Sequence, residues 1–84
     1  MGGFMDSERN EFWWPKRLNL DFFLEAFLTH FPSGQLRLVS KNNDHRPGYQ
    51  LLELEVPVNQ KTSLIPFCRT FAEIHHMEIS QQSY

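Results

Sequence analysis

The chain has 84 residues, a formal net charge of −2, and twelve aromatic residues that include eight Phe and two Trp. This length allows one small domain, with a free energy of unfolding on the order of 5 kcal/mol at most. The acidic balance argues against a free-standing nucleic-acid binder, because such domains usually present a basic face.

The chain also carries few signs of an oxidising or membrane setting. Its single cysteine, Cys68, has no second cysteine to pair with. The first residues lack the basic start and apolar run of a signal peptide, and the most apolar stretch, over residues 18–31, is interrupted by Asp21 and Glu25. We therefore expect a cytoplasmic protein without membrane contact.

The N-terminal region contains two adjacent indoles outside any periodic pattern. Residues 1–12 are predicted to be a flexible tail, residues 13–80 a single domain and residues 81–84 a C-terminal tail. In "EFWWPKR", over residues 11–17, Trp13 and Trp14 precede a proline and two basic residues.

Three interpretations of this stretch remain open. The rings could form a lid over the core. They could form a partner surface, because adjacent rings in an extended segment point to opposite sides and one would then stand in solvent. They could also stack on single-stranded nucleic acid, although the nearby Asp6, Glu8 and Glu11 oppose this.

Residues 19–31 are predicted to form the first helix. Asn19 is a suitable N-cap, and Asp21 suits the positive end of the helix dipole. Six apolar residues fall on one broad stripe, and Phe22 and Ala26 widen it: Leu20, Phe23, Leu24, Phe27, Leu28 and Phe31. This helix is apolar over more than half of its circumference, which is more than two strands can cover.

Two alternating segments predict an antiparallel hairpin. Residues 35–40 and 49–58 alternate apolar and polar positions, and a turn-rich segment joins them. In the second strand Leu52, Leu54, Val56 and Val58 are expected to face the core. Arg37 is expected to pair with Glu53 or Glu55 across the hairpin, and Pro57 to lie at a sheet edge or to end the strand.

Residues 63–78 are predicted to form the second helix. Ser63 is the candidate N-cap, and Pro66 is tolerated only within the first turn. Leu64, Phe67 and Phe71 share one face, together with Ile74. A final strand drawn from "HHMEIS", over residues 75–80, is the alternative for the end of this segment.

These elements predict an α+β fold, a two-layer sandwich in the order helix–strand–strand–helix with a small antiparallel sheet. Because a two-stranded sheet is marginally stable, a third strand is expected from the C-terminus or from a second copy.

Residue spacing argues against a chemical site. Cys68 and His75 would lie about 10 Å apart along a helix, too far to bind one metal ion together, and His76 is adjacent to His75. Cys68 is expected to be a buried core thiol. Glu53 and Glu55 match an ordinary solvated strand face, and no glycine-rich phosphate loop is present. We therefore predict no catalytic residue, no metal and no cofactor.

The sequence favours a non-enzymatic protein-interaction or regulatory module that works through the aromatic N-terminal arm and the apolar face of the first helix. Its partner is expected to be another protein or a second copy. The partner-binding residues are predicted to be Trp13, Trp14, Lys16, Arg17, Phe22 and Ala26. The alternative is a small nucleic-acid-binding regulator that uses Lys16, Arg17, Arg37, Lys41 and Arg46.

Overall fold

The computed structural model describes residues 7–40 and 46–82. Along the chain the elements are β1 (Ser7–Pro15), α1 (Leu20–His30), β2 (Gln35–Ser40), β3 (Tyr49–Pro57), α2 (Lys61–Ile74) and β4 (Ser80–Gln81), and a 3₁₀ turn (Val58–Gln60) precedes α2. The predicted α+β class is confirmed. Neither helix of the described residues is long and apolar enough to cross a bilayer.

The four strands form one antiparallel sheet in the spatial order β2-β3-β1-β4. This order, combined with a βαββαβ chain order, is the ferredoxin-like split βαβ arrangement. The predicted hairpin is β2 and β3, and the strand expected from the C-terminus is β4. The strand β1 lies between β3 and β4, so the N-terminal segment occupies the middle of the sheet.

The predicted N-terminal tail is wrong for residues 7–12, which belong to β1 and pair with β3. Residues 1–6 lie outside the described residues. The predicted C-terminal tail is also wrong at its first two positions. Gln81 belongs to β4, and the Gln82 amide donates to the Glu11 carbonyl oxygen at 2.7 Å.

The core lies between one face of the sheet and the two helices. The sheet contributes Phe12 and Trp14 from β1, and Leu52, Leu54 and Val56 from β3. The helices contribute the buried residues Phe23, Phe27, Leu64, Cys68, Phe71 and Ala72. The predicted inward position of Val58 is wrong, since β3 ends at Pro57 and Val58 is exposed in the 3₁₀ turn.

The helix α1 begins as the sequence predicts. The Asn19 side chain accepts a hydrogen bond from the Phe22 amide at 3.0 Å, and Asp21 lies in the first turn. Only part of the broad apolar stripe of α1 is buried in the core. Phe23 and Phe27 are fully buried, whereas Leu28 remains exposed.

The bounds of α2 differ from those predicted. The helix starts at Lys61 without a side-chain cap, so Ser63 lies inside it and is not the N-cap. Pro66 therefore lies in the second turn, where it has no amide hydrogen to donate to the Thr62 carbonyl oxygen. The helix ends at Ile74, and His76 adopts a left-handed conformation with φ 55° that turns the chain toward β4.

Candidate functional site

The two helices lie side by side on the sheet and run in opposite directions. Near the start of α1, the ring of Phe22 lies 5.9 Å from that of Phe71. Near its end, the ring of His30 lies 4.9 Å from that of Phe67. The beginning of one helix is therefore next to the end of the other.

Between the helices runs an open groove of about 680 Å³, here called the interhelical groove. Its lining is mostly apolar and includes Ala26, His30, Pro66, Phe67, Phe71 and Ile74. Core aromatic rings lie beneath it. The rings of Phe23 and Phe71 meet edge to face at 5.0 Å, and the rings of Phe27 and Phe67 are 6.3 Å apart. The floor of the groove keeps its shape because each of these aromatic rings packs against several neighbouring side chains.

One end of the interhelical groove carries large exposed apolar side chains. Ile74, which lines the groove, is 64% exposed, and Phe22 is 50% exposed on the facing helix. The Phe22 ring leans against Phe71 and His75, at 5.9 and 5.4 Å. Two large apolar side chains left in water at the mouth of one groove are typical of an interaction surface.

The opposite end of the groove is polar. Gln60 and Ser63 line it, and the Gln60 Oε1 atom is buried without a hydrogen-bond partner among the described residues. His30 is held in place there by its Nδ1–H, which donates to the Ala26 carbonyl oxygen at 3.1 Å.

The expectation that one indole stands in solvent is wrong, because both Trp13 and Trp14 are buried. Neighbouring residues of a strand point to opposite faces of the sheet. Trp14 therefore enters the core. Trp13 lies on the other face, where its Nε1–H donates to Gln82 Oε1 at 2.8 Å and the Arg46 guanidinium lies 5.5 Å from the ring centre. The interpretation as an arm is replaced by a central strand in which each indole is covered on its own face of the sheet.

The two basic residues after the indoles do not line the groove. The Arg17 guanidinium donates to the His76 carbonyl oxygen just beyond the end of α2, where a positive charge complements the helix dipole. The Lys16 amide donates to the Gly48 carbonyl oxygen at 2.9 Å. Of the six predicted partner-binding residues, Ala26 lines the groove and Phe22 lies beside it against Phe71, whereas the other four do not line it.

The groove residues contributed by α2 were missed as a site. The sequence pattern placed Phe67, Phe71 and Ile74 on one helix face with Leu64, and none of them was predicted to bind a partner. The structure buries Leu64 and Phe71 but leaves Ile74 at the surface. The available signal was the surplus of apolar surface on both helices, which could not be assigned to particular residues without their relative orientation.

The alternative function, nucleic-acid binding, depends on basic residues, and the structure places acidic side chains next to Arg37, one of these residues. Arg37 pairs with Glu53, with Nε and Oε1 3.1 Å apart, which confirms the expected cross-strand pair, and this carboxylate raises the pKa of Arg37. Arg37 and Glu53 line a polar depression on the outer sheet face together with Arg9 and Glu55. Arg46 covers Trp13 on the same face, and Lys41 lies outside the described residues. Alternating charge on this face does not make a continuous basic strip.

Cys68 is a core side chain, as expected. It is fully buried, and burial raises the pKa of its thiol to about 12. In residues 7–40 and 46–82, no three His, Cys, Asp or Glu side chains come close enough to share a metal ion. The thiolate, which is the nucleophilic form of cysteine, is strongly disfavoured in the folded protein.

This burial predicts a stability that falls at alkaline pH. The unfolded thiol loses its proton near pH ~8.5, whereas the folded thiol keeps its proton until about pH 12. Between these values the folded state binds the extra proton, so the free energy of unfolding should fall with rising pH by at most about 1.4 kcal/mol per pH unit. Urea unfolding at neutral and alkaline pH measures this slope.

Comparing wild type with Cys68→Ala isolates the contribution of the thiol from those of other groups. The variant should lose less stability between the two pH values. Equal slopes for the two proteins, or rapid alkylation of Cys68 in the folded state, would contradict its burial.

Comparisons with protein-family models, with curated proteins and with solved structures found no match to this chain.

Proposed function

We propose that this chain is a non-enzymatic protein-interaction or regulatory module whose interhelical groove docks an amphipathic helix of a partner protein. The observation that carries the proposal is the exposed pair Phe22 and Ile74 at the mouth of an apolar groove with an aromatic floor. Such a surface gains most of its binding free energy from the burial of a few large side chains.

A helix suits the shape of this groove. The groove is bordered by two antiparallel helices, and its α2 side extends from Ser63 to Ile74, about 17 Å or three helical turns. A partner helix lying in such a trough presents apolar side chains at positions i, i+3, i+4 and i+7.

Charge favours a basic partner. On the helix α1, the exposed Glu25 lies about 100° around the helix from the groove-lining Ala26, and there is no lysine or arginine between Leu20 and His30. Complementary charge on the partner would speed association and set the orientation of the helix in the groove. We therefore expect a partner helix with an apolar stripe and lysine or arginine along the flank that faces α1.

A synthetic three-turn peptide of this pattern, with leucine in the stripe and lysine on one flank, tests the proposal. Titration followed by NMR of labelled protein should shift the amide signals of Ala26, Phe67 and Thr70. Replacing Ile74 with glutamate should weaken binding at least about tenfold, equal to ~1.4 kcal/mol. Exchanging the lysines of the peptide for glutamates should also weaken it, with a difference that shrinks in high salt.

Leu28→Glu is the matched control. Leu28 is exposed on α1 but lies about 200° around the helix from Ala26, so the same charge is added outside the groove. This variant should bind the peptide as wild type does. Equal binding by the peptide and its scrambled form, or equal loss in Ile74→Glu and Leu28→Glu, would refute the groove as the docking site. Self-association abolished by Ile74→Glu would show that a second copy fills the groove instead of a partner protein.

A further inference from the structure

The strand β2 has a free edge. It pairs with β3 on one side, and among the described residues no strand pairs with its other side. Free edges of natural sheets are usually protected by charged side chains, proline, bulges or short length. The strand β2 has one charged side chain, Arg37, which pairs with Glu53 on the outer sheet face, and it has a bulge after Leu38. On the helix-covered face it presents Leu36 and Leu38, and Leu38 is 40% exposed.

The apolar surface at this edge is not confined to Leu38. Val39 is 39% exposed, and Leu28 of α1 is 37% exposed on the side of that helix away from α2. Since α1 connects β1 to β2, its side away from α2 faces the β2 end of the sheet. Exposed apolar side chains thus lie beside unpaired backbone groups, which is the combination that accepts another strand.

We infer that β2 pairs antiparallel with β2 of a second copy about a twofold axis at Leu38, which joins the two sheets into one of eight strands. A strand that pairs antiparallel with itself uses the same surface on both copies and closes as a dimer. An unrelated strand would need its own matching edge, whereas a second copy supplies one by symmetry.

The residue pattern selects the register. A continuous sheet keeps each face on the same side, so the twofold axis passes through a residue and not between two residues. Within Gln35–Ser40, the two centres that pair most of the strand are Arg37 and Leu38. Centring on Arg37 sets two guanidinium groups directly opposite each other, which is destabilising. Centring on Leu38 sets leucine against leucine, and it sets Arg37 against Val39 of the other copy.

A bulge limits the length of this pairing. The register of β2 against β3 shifts between Leu38 and Ser40, which leaves Val39 as the extra residue. Bulges bend a strand and increase its twist. The pairing between the two copies of β2 is therefore short and centred on Leu38. We expect such a dimer to dissociate on dilution.

Disulfide trapping tests both the pairing and its register. In a Cys68→Ala background, Leu38→Cys should form a disulfide-linked dimer on mild oxidation, because residues directly opposite in antiparallel strands have Cα atoms roughly 4.5–5.5 Å apart, within the range of a disulfide. Gln35→Cys is the control. Its two copies would lie about 20 Å apart in this register and should remain unlinked.

Analytical ultracentrifugation of the protein without introduced cysteines measures the oligomeric state independently of disulfide trapping. Wild type should pass from monomer to dimer with rising concentration, and Leu38→Lys should remain monomeric with an unchanged circular-dichroism spectrum. Ile74→Glu should still dimerise, which separates this edge from the interhelical groove. A wild type that stays monomeric, or equal trapping of Leu38→Cys and Gln35→Cys, would overturn the inference and leave the proposed docking function untouched.

Discussion

Replacing Trp14 with alanine should leave much of the protein unfolded at 25 °C. Trp14 is fully buried, and its ring lies 4.7 Å from Phe23 and 6.0 Å from Phe71, so it joins β1 to both helices. Truncating a buried Trp or Phe to alanine lowers the free energy of unfolding by about 3–5 kcal/mol. A domain of this size has a total on the order of 5 kcal/mol. Urea unfolding followed by far-UV circular dichroism measures the loss.

Two other variants make this result interpretable. Trp14→Phe keeps a ring in the core and removes an indole N–H that is buried without a hydrogen-bond partner among the described residues, so its loss should be much smaller. Trp13→Ala should fall between the two, since Trp13 lies on the outer sheet face and touches neither helix. A Trp14→Ala protein as stable as wild type would show that the core is not organised around this ring.

The second large effect is expected at Gly34, in the turn between α1 and β2. A Cβ atom at this position would lie 2.6 Å from Cζ of Phe27 and 3.0 Å from the Phe31 carbonyl oxygen. Because the Phe27 ring is fully buried, it can move only by disturbing its neighbours. Gly34→Ala should therefore lower the free energy of unfolding by about 1–3 kcal/mol, as overpacked cores do. Thermal and urea unfolding measure it.

Gly48→Ala is the contrasting glycine variant. Gly48 has a φ of +84°, and a Cβ there would meet nothing within 4 Å, so its cost comes from the backbone alone. Adding Phe27→Leu should recover part of the stability lost in Gly34→Ala and none of that lost in Gly48→Ala. A double-mutant cycle gives this coupling, and additive losses at positions 34 and 27 would contradict the predicted contact.

The sequence predicts those elements whose pattern is set by local contacts. Asn19 and the apolar stripe define α1 because both signals lie within a few residues along the chain. The alternation of Leu52, Leu54 and Val56 defines β3 in the same way. The fold class and the expected strand at the C-terminus followed from these elements.

The strand β1 escaped prediction because two of its residues break the alternation. Asn10 faces the core although it is polar, and its Oδ1 accepts a hydrogen bond from Gln81 at 3.2 Å. Trp13 faces outward although it is apolar, and Gln82 and Arg46 cover it. The residues that permit both exceptions lie 33 to 71 positions further along the chain, so no local pattern could reveal them.

Only the α1 side of the candidate site could be predicted from the sequence. The excess apolar surface of α1 predicted Phe22 and Ala26 as partner-binding residues, because two strands cannot cover so wide a stripe, and in the structure Ala26 lines the groove. The facing wall of the groove depends on how α2 is rotated about its own axis. That rotation is set by the burial of Leu64, Cys68 and Phe71, and it leaves Ile74 in water.

Because β1 lies in the middle of the sheet but comes first in the chain, the ribosome makes it before both of the strands that pair with it, β3 and β4. Until β4 emerges, β1 cannot be paired on both sides, and long-range pairings of this kind form slowly. During translation the nascent chain therefore exposes Trp13, whose covering residues Arg46 and Gln82 come later, and this exposure favours aggregation.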